Sequence, residues 1–146
     1  SKELSMVTEK ALRPILNLSE FPNAVVDVFI ELPQTDAGSR CAGICAASIA
    51  LADAGISMKD MVAAIGAGKV SDQKVVDLSY AEESHEEGAT DIAMSFVHNT
   101  KELTLLQMDG DVSKEELAEI MEMAKKACDQ INEIQRNALK EKFQAE

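Results

Sequence analysis

The stretch "SKEELAEIMEMAKKACDQINEIQRNALK", beginning at Ser113, constrains the fold more than any other. Ser113 and Glu116 have the spacing of a capping box and predict a helix start. Behind them Leu117, Ile120, Met121, Ala124, Cys128, Ile131, Ile134 and Ala138 repeat at helical period and make a single apolar stripe. Such a helix runs about 40 Å at 1.5 Å per residue. With one apolar stripe it has to lie across a sheet.

Strands to build that sheet are visible upstream. "MVAAIGAGKV" and "KVVDLSY" read as two strands joined by a short turn at Ser71 to Gln73, and "DIAMSFVH" and "ELTLLQM" as an antiparallel hairpin around "NTK". Gly66 and Gly68 predict a bulge or a close backbone approach. "AVVDVFIEL", residues 24–32, is rich in β-branched residues and apolar on both faces except at Asp27 and Glu31, which predicts a central strand. Ahead of it, "LSMVTEKALRPIL" sets Leu4, Val7, Ala11, Leu12 and Ile15 on one helical face, ended or kinked by Pro14. After it, residues 36–54 predict a helix with little side chain on several sides (Ala42, Gly43, Ala46, Ala47, Ala50, Ala54), expected at the buried centre and ended by Gly55. This order is that of an α+β fold with a mixed or antiparallel sheet. No internal repeat or linker interrupts it.

At 146 residues the chain is one domain or part of one. No apolar run approaches the ~18 residues of a membrane span, and "SKELSMVTEK" lacks a signal-peptide pattern, so the expectation is no membrane and a cytoplasmic setting. The net charge of −12, with no Lys/Arg cluster, no Trp and only Tyr80 as tyrosine, argues against unaided nucleic-acid binding. Cys41, Cys45 and Cys128 fall within helical segments and read as reduced and buried. Cys41 and Cys45 lie one turn apart, but no further metal ligand stands near them in sequence.

Candidate sites are few. In "QMDGDVSKEEL" a calcium-loop register anchored on Gly110 would put Leu105 and Gln107 at ligand positions, so a strand, turn and capped helix is the better reading. The run Glu82, Glu83, Glu86, Glu87 with His85 reads as a solvated loop, and His98 as a surface residue. Asp91 differs, because it stands where that loop enters an apolar strand. A carboxylate held there is a candidate for metal binding or general acid work. The turn "DAGSR" offers outward N–H groups, the hydroxyl of Ser39, the permanent charge of Arg40, and Gly38 to let a ligand approach. It reads equally as an oxyanion cradle or as an Asp36 N-cap with Arg40 bridging to Asp36 or Glu31.

"DVFIELPQTDAGSRCAGICAASIALADAGISMKDMVAAIGAGKV", with "VVDLSYAEE", "ATDIAMSF" and "LTLLQMDGDVSKEEL", resembles the second half of an RNase PH-type domain, in particular that of the catalytic subunit of the archaeal exosome. The resemblance implies the RNase PH-type fold (ribosomal protein S5 domain 2-like), with residues 1–146 forming the C-terminal part of a single domain. It implies 3′→5′ phosphorolysis of RNA, with inorganic phosphate as co-substrate held by Gly38, Ser39 and Arg40. Asp91 would be the general acid or a magnesium ligand, and Glu83 a second acid. Glu83 departs from the family's usual Asp, and its spacing to Asp91 is about two residues longer than usual. Implied partners are RNA, a related inactive subunit alternating in a hexameric ring, RNA-binding cap subunits, and the first half of the domain, whose arginine pair would lie just before Ser1. The isolated chain is then expected to be inactive. Rival implications are a non-catalytic ring subunit and a bacterial-type RNase PH trimming tRNA 3′ ends.

Overall fold

A computed structural model describes residues 2–144. Helix α1 (Lys2–Leu12) buries Val7, Ala11 and Leu12 and passes into a 3-10 turn, Arg13–Ile15, with Pro14 at its start, as the proline predicts. A second 3-10 turn, Leu18–Glu20, follows, then helix α2 (Ser39–Asp53). Strands β1 (Val62–Val70) and β2 (Gln73–Val76) are followed by the one-turn helix α3 (Tyr80–Glu83). Strands β3 (Ala89–Val97) and β4 (Leu103–Asp109) and the long helix α4 (Lys114–Gln144) complete the order.

The sheet runs β2-β1-β3-β4 with every pairing antiparallel. Because strand side chains alternate between faces, β1 and β3 feed two separate cores. Val62, Ala64, Ala93 and Val97 pack under Cys41, Ile44, Ala47 and Leu51 of α2, with α1 completing that layer. Ala63, Ala67, Ile92, Met94 and Phe96 pack against Ile120, Ala124 and Cys128 of α4. Each large aliphatic buried in this way contributes about 1.5–3 kcal/mol. Gly68 is required for the tight seam between β1 and β3, since a Cβ there would stand 1.8 Å from the Thr90 carbonyl oxygen. Gly55, at φ +74, ends α2 as predicted.

Three expectations are corrected. Residues 24–32 form no strand, because no neighbouring strand among the described residues pairs with them. The pairing that would have made the sheet mixed is therefore not formed. Helix α2 is packed on one side rather than all round, and Ala42, Ala46 and Ala50 are open. The stripe of α4 follows the predicted line through Ile131, which packs against the core, and then leaves it: Ile134 is exposed, while Asn132 and Gln135 are buried.

The reason for that last shift is the edge of β1. Its first half extends beyond β2, so Val62 and Ala64 present unpaired backbone groups inside the protein. Ser48 Oγ accepts from the Val62 N–H at 2.9 Å, and Gln135 donates to the Cys45 and Val62 carbonyls at 2.9 and 3.4 Å. The Cys45 thiol accepts from the Ala64 N–H at 3.1 Å and donates to its carbonyl at 3.2 Å. Buried backbone groups need partners, and the polar residues of α2 and α4 supply them.

Candidate functional site

The site forms where α2 begins above the sheet. Gly38 is the N-cap residue, held at φ +66, and no side chain caps the helix. Its carbonyl accepts from the N–H groups of Cys41 and Ala42 at 3.0 and 3.1 Å. The N–H groups of Ser39 and Arg40 have no acceptor among the described residues. No acidic residue lies in the first turn. The other two helices whose starts are described behave differently: α3 has a full capping box, Ser79 with Glu82, and α4 another, Ser113 with Glu116. Among the α-helices whose starts are described, α2 alone begins bare, and with a cation in its positive end.

Asp91 lies beneath. It stands on β3 opposite Gly68 of β1 and Asp109 of β4. By alternation it shares the face of Ala93 and Val97, the α2 side. Gly66, on the same face, keeps the space open, since a Cβ there would be 3.5 Å from Asp91 Oδ1. Burial pushes the Asp91 carboxyl above its usual range; the Arg40 guanidinium partly offsets this, and Asp109 raises it again. Glu83 is also raised, first by burial and then by Asp91, against the lowering effect of Arg40. The structure therefore brings Arg40, Asp91 and Glu83 into one electrostatic neighbourhood. The longer Glu83 to Asp91 spacing is absorbed by the exposed residues 84–88, which turn at Gly88 (φ +95).

Arg40 makes no direct ion pair among the described residues, so the Asp36 or Glu31 bridge does not form, and Asp36 does not cap the helix. Two neighbours escaped sequence reading. Asp77 lies close enough to Gly38 that a Cβ there would be 3.9 Å from its Oδ1, and Asp109 sits directly across from Asp91. The signal for Asp109 was present in the predicted hairpin, whose register sets the pair. Asp77 carried none, because only the approach of α2 to the end of β2 brings it near.

Cys41, just inside the helix start, is buried, and burial chiefly pushes its thiol up to about 12. It is a packing residue, not a nucleophile. No trio of acidic, histidine or cysteine side chains placed to hold a metal occurs among the described residues. Asp91 and Glu83 nonetheless suit magnesium, which takes one or two carboxylates and completes its shell with water and substrate phosphates. Each carboxylate is destabilised by burial and by a neighbouring carboxylate, Glu83 by Asp91 and Asp91 by Asp109, which a dication would relieve. His85 is exposed. His98 is half-buried beside Asp129, away from this site.

An uncapped, cation-bearing helix start over a desolvated carboxyl defines a site for an oxyanion and an acid, set in a three-layer α+β fold. Two models of one family match the chain: 3′ exoribonuclease family, domain 1, over residues 1–57, and domain 2 over residues 60–127. The chain belongs to this family, the RNase PH family. It is 45% identical over 143 residues to the exosome complex component Rrp41 of Methanopyrus kandleri, covering 98% of this chain and 59% of that protein. It is 48% identical over 143 residues to the component of the same name from Thermococcus gammatolerans, covering 98% and 57%. The chain thus spans little more than half the length of these relatives. Its fold matches the crystal structure of rice (Oryza sativa) Rrp46 with a TM-score of 0.77 at 25% identity, covering 94% of this chain and 64% of that one. No helix among the described residues is long and apolar enough to cross a membrane.

Proposed function

We propose that this chain carries the phosphate-binding and proton-donating part of a 3′→5′ phosphorolytic exoribonuclease, acting as the catalytic subunit of an archaeal-type exosome in the cytoplasm. The observation that carries the reading is the bare start of α2: free Ser39 and Arg40 amides and an unpaired Arg40, in a chain that caps α3 and α4 fully. An anion at that position satisfies the amides, the helix dipole and the guanidinium together.

Inorganic phosphate would rest on those amides, on the Ser39 hydroxyl and on Arg40, with Gly38 giving it access. Held there, its charge is screened and one oxygen is aimed at the terminal phosphorus of an RNA 3′ end. As that oxygen bonds to phosphorus, the bond to the 3′ oxygen of the preceding nucleotide breaks. Asp91, whose carboxyl is biased toward its protonated form by burial, gives the departing oxygen its proton. The product is a nucleoside diphosphate and an RNA one residue shorter. In the alternative role, with Asp91 ionised, magnesium held by Asp91 and Glu83 would supply charge stabilisation for the departing oxygen in place of that proton. Further RNA-binding cations, needed beside a chain of net charge −12, would come from the first half of the domain, from the related ring subunit and from cap subunits.

The test has two arms. Inorganic phosphate should raise the melting temperature of this chain, and Arg40→Ala should abolish that rise. At a phosphate concentration of 100 times Kd the expected gain is about 2.7 kcal/mol. In the full-length protein assembled with its ring partner, Arg40→Ala should raise the phosphate KM severalfold or more, and Asp91→Ala should stop nucleoside diphosphate release while leaving the assembly intact. Release at the normal rate by the Asp91→Ala protein would overturn the catalytic assignment in favour of a structural ring subunit.

A further inference from the structure

Gln107 is a polar residue that the catalytic reading leaves unused, and it lines the same cavity as Arg40. On β4 it stands between Leu105, which packs in the α2 layer, and Asp109, which faces Asp91 across the hairpin. By alternation these three side chains share the face of the site. Gln107 Nε2 donates to Glu3 Oε1 of α1 at 3.1 Å. A carboxylate offers acceptors only, so this bond fixes the amide: its NH2 group faces Glu3 and its oxygen turns away. That oxygen is buried and meets no donor among the described residues.

Arg40 has the opposite deficit. A guanidinium carries N–H donors and no acceptor, and this one makes neither an ion pair nor a side-chain hydrogen bond among the described residues. Arg40 and Gln107 line a cavity of about 80 Å³ whose other walls are Glu3, Leu4 and Val7 of α1. Leu4 and Val7 are apolar and Glu3 only accepts, so among these side chains Arg40 is the donor open to Gln107 Oε1. The volume is on the order of two waters, which need polar partners and find them in these groups.

We infer that Gln107 is a positioning residue for the phosphate-binding arginine: its carbonyl oxygen accepts from the Arg40 guanidinium through water in this cavity, with Glu3 holding the amide in that orientation. The inference rests on the proposed role of Arg40 and deepens it. A neutral acceptor suits the position. Burial raises the Asp91 and Glu83 carboxyls and the Arg40 guanidinium pulls against it. A guanidinium free to close on them would pull harder and ionise the acid. A carboxylate at position 107 would instead pair with Arg40 and compete with phosphate. The amide does neither. It tethers one edge of the guanidinium and leaves the remaining N–H groups to an anion at the start of α2.

The test uses the full-length protein assembled with its ring partner, with the KM for inorganic phosphate and kcat both read from nucleoside diphosphate release. Gln107→Met keeps the length of the side chain and removes its acceptor. It should raise the phosphate KM about fivefold, with kcat within about twofold of the parent. In an Arg40→Ala background the same change should add less than about twofold, because the group it acts through is gone. Glu3→Lys is a second variant, at an exposed helix residue. A lysine only donates, so the amide reverses and turns its NH2 group toward the guanidinium. The phosphate KM should then rise, although the added positive charge acting alone would lower it. A lowered KM in Glu3→Lys, an unchanged KM in Gln107→Met, or effects of Gln107→Met and Arg40→Ala that multiply in full would each overturn the inference. Those outcomes leave the phosphate site standing so long as Arg40→Ala raises the KM, whereas an Arg40→Ala protein with the parental KM would overturn both.

Discussion

Two glycines two residues apart on β1 do different things. A Cβ at Gly68 would collide with the Thr90 carbonyl at 1.8 Å, a backbone atom that cannot move without opening the seam between β1 and β3. Gly68→Ala should therefore cost more than about 3 kcal/mol in urea unfolding, or prevent folding. At Gly66 the same methyl group meets only Asp91 Oδ1 at 3.5 Å, an ordinary contact. Gly66→Ala should fold with a stability within about 1 kcal/mol of the parent, yet reduce the phosphate-induced rise in melting temperature by filling the space above Asp91. Asp91 itself makes a pH-dependent contribution. Its folded-state pKa is raised, chiefly by burial, so its contribution to stability is fully present below the ordinary carboxylate range and is lost as pH rises through the folded value. Above the ordinary carboxylate range that contribution is diminished, because the buried site disfavours the charged form that the unfolded chain adopts freely. Asp91→Asn should then raise the melting temperature at pH 7, with the gain disappearing toward pH 3. A lower melting temperature at pH 7 would show that the carboxylate is stabilised in place.

Among the elements, the clearest signals in sequence were the ones written in local chemistry. The Ser113 and Glu116 box closes as predicted: Glu116 N–H donates to Ser113 Oγ at 3.1 Å, and Ser113 N–H donates to the Glu116 carboxylate at 2.8 Å. Glu116 also pairs with Lys69 of β1 at 2.7 Å, which chiefly holds its carboxyl down at about 2 and ties the start of α4 to the sheet. Ser113→Ala should cost about 1 kcal/mol, measured by chemical denaturation, and Ser113→Asp should restore most of it. What sequence missed depended on neighbours. Nothing within "AVVDVFIEL" says whether partner strands are present, and Ile134 could not be told from Gln135 until the bare edge of β1 was known to need donors. The site divides in the same way. Gly38, Ser39, Arg40 and Asp91 were legible because each sits at an element boundary, where turn chemistry is local. The enclosure of that site by Asp77 and Asp109 arises only when α2 settles on the sheet and the hairpin register is set.

For the molecule as a whole, the two helical layers are joined through β1 rather than stacked independently. Gln135 of α4 reaches the Cys45 carbonyl of α2, the Cys45 thiol holds Ala64, the Cys128 thiol donates to the Ala63 carbonyl at 3.5 Å, and Lys142 pairs with Asp53 at 2.6 Å. Opening either layer therefore strips backbone partners from the same strand, and the two should open together. The three thiols report on this directly, because Cys41 and Cys45 lie in the α2 layer and Cys128 in the α4 layer. Burial pushes Cys41 and Cys128 up to about 12 and raises Cys45 as well. At pH 8 a thiol at about 12 is ionised to only about one part in 10⁴, so alkylation by iodoacetamide in native buffer should be slow at all three. As urea is added, the three should react with one common rate that follows global unfolding. If Cys128 were modified well before Cys41 and Cys45, α4 would be an independently opening unit and the coupling through β1 would be wrong. A common rate would show that the 31-residue helix, the sheet and the α2 layer bearing Arg40 fold as one body.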